Sequence, residues 1–139
     1  MRRKSQAETT GFAFRLDAHS GVPVYRQLID QVQAAIAAGV LSAGDQLPTV
    51  RQVAVELAIN PNTVLRAYRE MEIRGSLDTQ QGTGTFIAER GVAPSKDERA
   101  RLLGQLVGEF VSRAGSAGLT VGDLIDALRE LQQESRQRR

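Results

Sequence analysis

The sequence predicts a mainly α fold with one small β-hairpin, an α+β class, on three observations. Apolar residues recur at i, i+3, i+4 and i+7 in five separate stretches, the period of a half-buried helix. Those stretches open on Pro23, Thr49, Asn60, Ser95 and Thr120, all residue types suited to a helix start. Between the third and fourth, Leu77-Asp-Thr-Gln and Thr85-Phe-Ile-Ala flank Gln81-Gly-Thr-Gly, the pattern of strand, glycine-bearing turn and strand.

Residues 1–11 are polar, with Arg2, Arg3 and Lys4 clustered, and are expected to form a disordered arm. Phe12, Phe14 and Leu16 alternate with Ala13, Arg15 and Asp17, the period of a half-buried strand that would pair with the downstream hairpin. His19, the one histidine, lies in the polar stretch 17–21 with no second ligand of its kind, so it is expected to face solvent rather than bind a metal. Pro23 starts the first long helix. Its buried stripe is Leu28, Val32, Ala35 and Ile36, flanked by Tyr25 and Ile29, and Gly39 ends it. Gly44, Asp45 and Pro48 make 40–48 a loop, with Leu41 and Leu47 plugging the core beneath.

Thr49 with Gln52 three residues on is a capping box, and Val50, Val53, Ala54 and Leu57 give the following helix its stripe. Only Ala58 and Ile59 separate this short helix from Asn60, which caps the next, with Pro61 at its first position. Val64, Ala67, Tyr68 and Met71 then share one face, while Asn62, Arg66 and Arg69 lie opposite. Alone, such a helix is an ordinary amphipathic surface helix. Joined to its neighbour by so tight a turn, it makes a helix-turn-helix. Gly75-Ser76 stops it just before the hairpin, and together these elements predict a winged helix-turn-helix over 12–91.

The remaining 92–139 is expected to be a helical tail. After a linker at 89–94, Ser95 with Glu98 forms a second capping box, followed by the stripe Leu103, Leu106, Val107, Phe110 and Val111. Gly115-Ser-Ala-Gly breaks that helix. Thr120 with Asp123 starts another carrying Val121, Leu124, Ile125, Leu128 and Leu131, before a polar end at 134–139. A helical hairpin shorter than about 40 to 50 residues has too little core to bury both stripes. A second copy of the chain is therefore the expected partner, making this a dimerisation hairpin in which Leu103, Leu106, Phe110, Leu124, Leu128 and Leu131 meet their counterparts; the alternative is a tail folded back on the first domain.

Composition narrows the function. The absence of cysteine rules out disulfides, thiolate nucleophiles and cysteine zinc sites, and no apolar run approaches a membrane span or a signal peptide. A cytoplasmic location with no membrane partner is the default. With one histidine and no convergent carboxylates there is no catalytic residue, metal ligand or cofactor site to assign, and no enzyme is expected. The net charge of +2 is a weak argument for a polyanionic partner; ten basic residues face nine acidic ones up to Arg90, and eight face seven after it. Any nucleic-acid binding must rest on local placement.

Leu47-Pro-Thr-Val-Arg-Gln-Val-Ala, Asn60-Pro-Asn-Thr-Val-Leu-Arg-Ala-Tyr, Glu72-Ile-Arg-Gly and Gly82-Thr-Gly-Thr-Phe-Ile resemble the DNA-binding domain of the GntR family of bacterial transcription regulators. The Asn-Pro-Asn-Thr form and the short tail resemble its YtrA-type branch. The resemblance runs from about Phe12 to Glu89; the tail matches by length and helical content only. It implies double-stranded DNA as partner and Arg51 as a DNA contact. Thr49 and the first-turn amides of its helix suit a phosphate, because unpaired N–H groups and the positive end of the helix dipole point at the anion. On the second helix Asn62, Thr63 and Arg66 are expected to meet base edges or adjacent phosphates in the major groove, with Arg69 reaching a phosphate. The family places the hairpin tip in or beside the minor groove, a role that Gln81, Gly82 and Thr83 inherit. The basic arm is a further minor-groove candidate, set below simple disorder. A phosphate-binding loop does not fit Gly82-Thr-Gly-Thr, which lacks the Walker lysine and leads into a strand.

The family often carries a basic residue in place of Leu65 and Arg in place of Pro61, so its base preference does not carry over. Leu65 is expected to cover the core's flank rather than touch a thymine methyl. The expected function is a homodimeric, sequence-specific repressor on an inverted-repeat operator, with neighbouring transporter genes as the target that the resemblance implies. The alternatives are a nonspecific architectural DNA protein and a protein-interaction module. About 48 residues follow the winged domain, too few for a roomy pocket in one tail. Nothing in them names a small-molecule effector, for which a dimer interface is the remaining place.

Overall fold

The computed structural model describes residues 11–89, Gly91 and 93–138. The elements run α1 (Val24–Ala37), β1 (Gln46–Leu47), α2 (Val50–Leu57), α3 (Pro61–Ile73), β2 (Leu77–Gln80), β3 (Gly84–Ile87), α4 (Lys96–Ser116) and α5 (Val121–Arg138). Two compact units divide the chain, one holding the residues up to Arg90 and the other Gly91–Gln137. The arm expected at 1–11 lies outside the described residues apart from Gly11, as do Arg90 and Val92 of the expected linker and Arg139 of the polar end.

The first unit is assembled around α3, which packs on α1, α2 and β2. Val64, Ala67, Tyr68 and Met71, the face the periodicity marked as apolar, are all buried. Leu28, Ile29 and Val32 meet them from α1, Val53 and Ala54 from α2, and Leu77 and Ile87 from the sheet. Leu41 and Leu47 seal the core under the loop, as expected, while Ile29 proves more deeply buried than Ile36. Burying each large side chain contributes roughly 1.5–3 kcal/mol, so the helix-turn-helix is held chiefly by its back face.

The turn between α2 and α3 is tight because Ala58 adopts the left-handed conformation, φ 53° and ψ 47°, at the α2 C-cap. The Ile59 N–H then reaches the Ala54 carbonyl at 3.0 Å. A Cβ in that conformation costs roughly 1–2 kcal/mol, which glycine avoids at some cost in unfolded-state entropy. Ala58→Gly should therefore raise stability by about 0.5–1 kcal/mol and Ala58→Val should lower it, as read from urea midpoints.

Tyr68 joins α3 to the segment ahead of α2: its hydroxyl donates to the Pro48 carbonyl at 2.6 Å. Burial, helped by the nearby negative charge of Glu56, pushes the phenol well above its ordinary value of 10.0. The folded chain thus keeps a proton that the unfolded chain releases near pH 10. This contribution to stability is complete below that pH and is lost as pH rises toward the folded value. Stability should fall by about 1.4 kcal/mol per pH unit above roughly pH 10. Tyr68→Phe should remove that extra slope and cost about 1–2 kcal/mol at neutral pH through the orphaned carbonyl, which urea titrations at pH 8 and 10.5 would compare.

The sheet has the order β1-β3-β2, all antiparallel, with Leu77 opposite Ile87, Thr79 opposite Thr85 and Gln46 opposite Phe86. Its third strand is a correction to the expected topology. Gln46–Leu47 supplies it, inside the segment expected to be loop, whereas 12–17 forms no strand. Phe12 and Phe14 are buried as the alternation required, with their rings edge to face at a centroid distance of 4.9 Å. The neighbouring backbone of Arg15 and Asp17 is bonded by α1 side chains instead of a sheet edge. The Gln31 amide accepts from the Arg15 N–H at 2.8 Å and donates to the Arg15 carbonyl at 2.6 Å. Alternation reported burial, not the hydrogen-bond partner.

In the second unit the expected helix starts hold. Ser95 and Glu98 exchange reciprocal capping bonds, and Thr120 and Asp123 do the same. The Thr120 hydrogen bonds hold the Asp123 carboxyl below its ordinary range. Gly115 stays helical, and the break falls at Gly118, φ +80°. Leu103, Leu106, Phe110, Leu128 and Leu131 are exposed and Leu124 is half-buried. Among the described residues α4 and α5 make no extended packing with each other.

Candidate nucleic-acid interface

The interface stands on three pieces of the first unit: the start of α2, the outer face of α3 and the hairpin tip. At the α2 start, Thr49 and Gln52 form the complete capping box. The Thr49 hydroxyl accepts from the Gln52 N–H at 3.1 Å while the Gln52 side chain accepts from the Thr49 N–H at 2.8 Å. The box consumes one first-turn amide and leaves those of Val50 and Arg51 with no acceptor inside the helix. The Thr49 hydroxyl proton is still able to donate. Thr49 and Arg51 are both exposed, so a threonine donor, two backbone amides and a guanidinium converge at one helix N-terminus, the donor set that suits a phosphate.

On α3, Asn60 caps by accepting the Asn62 N–H at 2.8 Å, and Pro61 occupies the first turn. Asn62, Arg66 and Arg69 are exposed, whereas Thr63 and Leu65 are half-buried. Thr63 is thus less available than its neighbours, and Leu65, expected to cover the core's flank, lies half-buried in the groove on the outer face. Asn62, Leu65, Arg66, Arg69, Glu70 and Ile73 line one shallow groove along the helix.

Acidic residues of the same helix are engaged elsewhere. Glu70 pairs with Arg74 at 3.5 Å, and Glu72 accepts the Thr79 hydroxyl, which ties the end of α3 to the wing. Among the described residues Glu70–Arg74 is the one ion pair, so Arg51, Arg66 and Arg69 make none, although Glu70 shares the groove with Arg66 and Arg69.

Gln81, Gly82 and Thr83 form the exposed hairpin tip. The Thr83 N–H closes the turn on the Gln80 carbonyl at 3.0 Å, and Gly82 at φ +77° supplies the positive φ its third position needs. The Gln46 amide braces the tip from β1 by donating to the Thr83 carbonyl at 3.1 Å. A Cβ on Gly84 would displace that amide, and the φ of +137° at this position is one that favours glycine.

Two supports escaped the sequence. Gln46 sits in a strand of two residues, too short for a periodic signal. Tyr25 lies under Arg66, with the guanidinium carbon 3.8 Å from the ring centroid, a contact between residues 41 positions apart that no local pattern encodes.

The chain is similar to known proteins. The family described as "Bacterial regulatory proteins, gntR family" matches residues 24–87. The HTH-type transcriptional repressor YtrA of Bacillus subtilis (strain 168) is 31% identical over 117 residues, spanning 84% of this chain and 90% of that protein. The solved structure of a transcriptional antiterminator from Listeria monocytogenes EGD-e is 26% identical, with a TM-score of 0.66 over 89% of this chain and 92% of its own. YtrA from Sulfolobus acidocaldarius, a GntR-family transcription factor, is 27% identical, with a TM-score of 0.53 over 71% of this chain and 97% of its own. The two-faced α3, the braced wing and the short helical tail, together with these matches, place the chain in the GntR family of bacterial DNA-binding transcription regulators, in its YtrA-type branch.

Proposed function

We propose that the chain is a cytoplasmic, homodimeric repressor that reads an inverted-repeat operator in double-stranded DNA. The observation that carries this reading is the division of α3: its inner face is wholly buried, while its outer face presents Asn62, Arg66 and Arg69, which form no carboxylate bond among the described residues. Thr49, Arg51 and Arg69 anchor phosphates and set the register. Asn62 and Arg66 read base edges, Thr63 adds a contact near its hydroxyl, and Gln81, Gly82 and Thr83 approach the minor groove. The Bacillus relative named a repressor supports the direction of control.

Dimerisation rests on the tail. Leu103, Leu106 and Phe110 on α4, and Leu128 and Leu131 on α5, are about half exposed and leave apolar surface that no described residue of their own unit covers, with Leu124 half-buried beside them. Soluble monomers rarely expose such contiguous surface, and a second copy presents the same stripe in return. A two-fold dimer would set the half-sites about 34–36 Å apart or at a multiple of that spacing.

Fluorescence anisotropy across a salt series, with the protein's own upstream DNA against a scrambled duplex, tests the reading. A preference of roughly 4–10 kcal/mol is expected for a regulator at its operator. Equal, steeply salt-dependent binding to both duplexes and to every duplex recovered from a random pool would instead mark an architectural protein.

A further inference from the structure

A residue outside the helix-turn-helix completes the outer face of α3. The Arg66 guanidinium carbon lies 3.8 Å from the centroid of the Tyr25 ring, well inside the roughly 6 Å over which a ring face holds a cation. Tyr25 belongs to the first turn of α1, half-buried and packed against the core, so its ring is a fixed platform. The approach to α1 is itself pinned. The Gln27 amide donates to the carbonyls of Asp17 at 3.0 Å and Val22 at 2.8 Å, and its oxygen accepts the Asp17 N–H at 2.9 Å.

We propose that Tyr25 is a positioning residue for base reading, holding Arg66 across its face so that the guanidinium edge meets a guanine. The inference rests on the role proposed for Arg66 above. A guanidinium stacks through its π face but donates hydrogen bonds in its plane, so a ring beneath it leaves the bidentate edge available. Arginine otherwise loses much rotamer freedom when it binds. Stacking in the free protein takes part of that loss before DNA arrives. Arg26 is more distant, 5.9 Å from the same ring, so the platform serves Arg66 first.

The test uses the full chain, a duplex that it enriches from a random pool, and a scrambled duplex of the same composition. Tyr25→Phe keeps the ring face and should bind the enriched duplex within about twofold of the parent. Tyr25→Leu should bind it about 3- to 10-fold more weakly, with scrambled binding and the salt slope unchanged because no charge is lost. In an Arg66→Ala background, Tyr25→Leu should cost nothing further, since the ring has no guanidinium left to hold.

Pentafluorophenylalanine at position 25 keeps the shape and burial but reverses the ring's charge distribution. It should weaken binding as leucine does, and it decides the matter if circular dichroism shows Tyr25→Leu unfolded. Unchanged or tighter binding by the pentafluoro variant overturns the proposal, the latter meaning that the stack hides Arg66. An Arg66→Ala variant with parental affinity removes the premise instead, so the two failures are told apart by that single substitution.

Discussion

Replacing Leu106 and Phe110 together by glutamate is expected to leave a folded monomer whose operator affinity has fallen by about 10²- to 10⁴-fold. Both side chains stand on the outward stripe of α4, about half exposed at 53% and 48%, so the substitutions break no contact in the core of the first unit. In the proposed dimer they become interface, where a carboxylate without a partner is costly to bury. The DNA consequence follows from linkage. When one subunit has bound a half-site, its partner meets the second at an effective concentration in the millimolar range, and a monomer forfeits that advantage without losing any DNA contact. Sedimentation should give the single-chain mass of 15.1 kDa for the variant and twice that for the parent. If the variant stayed at double mass with parental affinity, the interface would lie on another surface.

Arg66→Ala carries the second-largest expected effect, a loss of about 1–3 kcal/mol, or roughly 5- to 150-fold, at the operator alone. Its side chain is exposed, stacks on the Tyr25 ring and makes no ion pair among the described residues, so circular dichroism should match the parent and stability should fall by no more than the stack contributes, about 0.5–1 kcal/mol by urea midpoint. Arg69→Ala provides the contrast. A phosphate contact is blind to sequence, so its loss should weaken operator and scrambled duplex alike and flatten the salt slope by about one unit. Equal losses on both duplexes for Arg66→Ala would reassign that residue to the backbone.

The helix-turn-helix was legible because its signals are local. Capping boxes at Thr49/Gln52 and Ser95/Glu98, the Asn60-Pro61 start and the 64/67/68/71 stripe are each set by residues within two turns, and the structure shows every one. The family resemblance drew on the same local motifs in register, and the matches to known regulators support it. Local pattern also set the inside–outside choice at Phe12 and Phe14, since alternation states which side chains are buried.

Tertiary structure alone decided where long-range bonds go. Whether the backbone near Phe14 met a strand or the side chain of Gln31, sixteen residues downstream of Arg15, was settled by the packing of α1. The third strand, Gln46–Leu47, exists because β3 offers it an edge; two residues carry no period of their own. The stack of Arg66 on Tyr25 and the brace from Gln46 to the wing likewise pair side chains from different elements. What this sequence determined by itself is each element and the face it buries, because propensity, capping and amphipathicity act within a few residues. Which polar groups then meet across the core depends on the packing of whole helices, and that geometry supports Arg66 and the wing tip proposed to touch DNA.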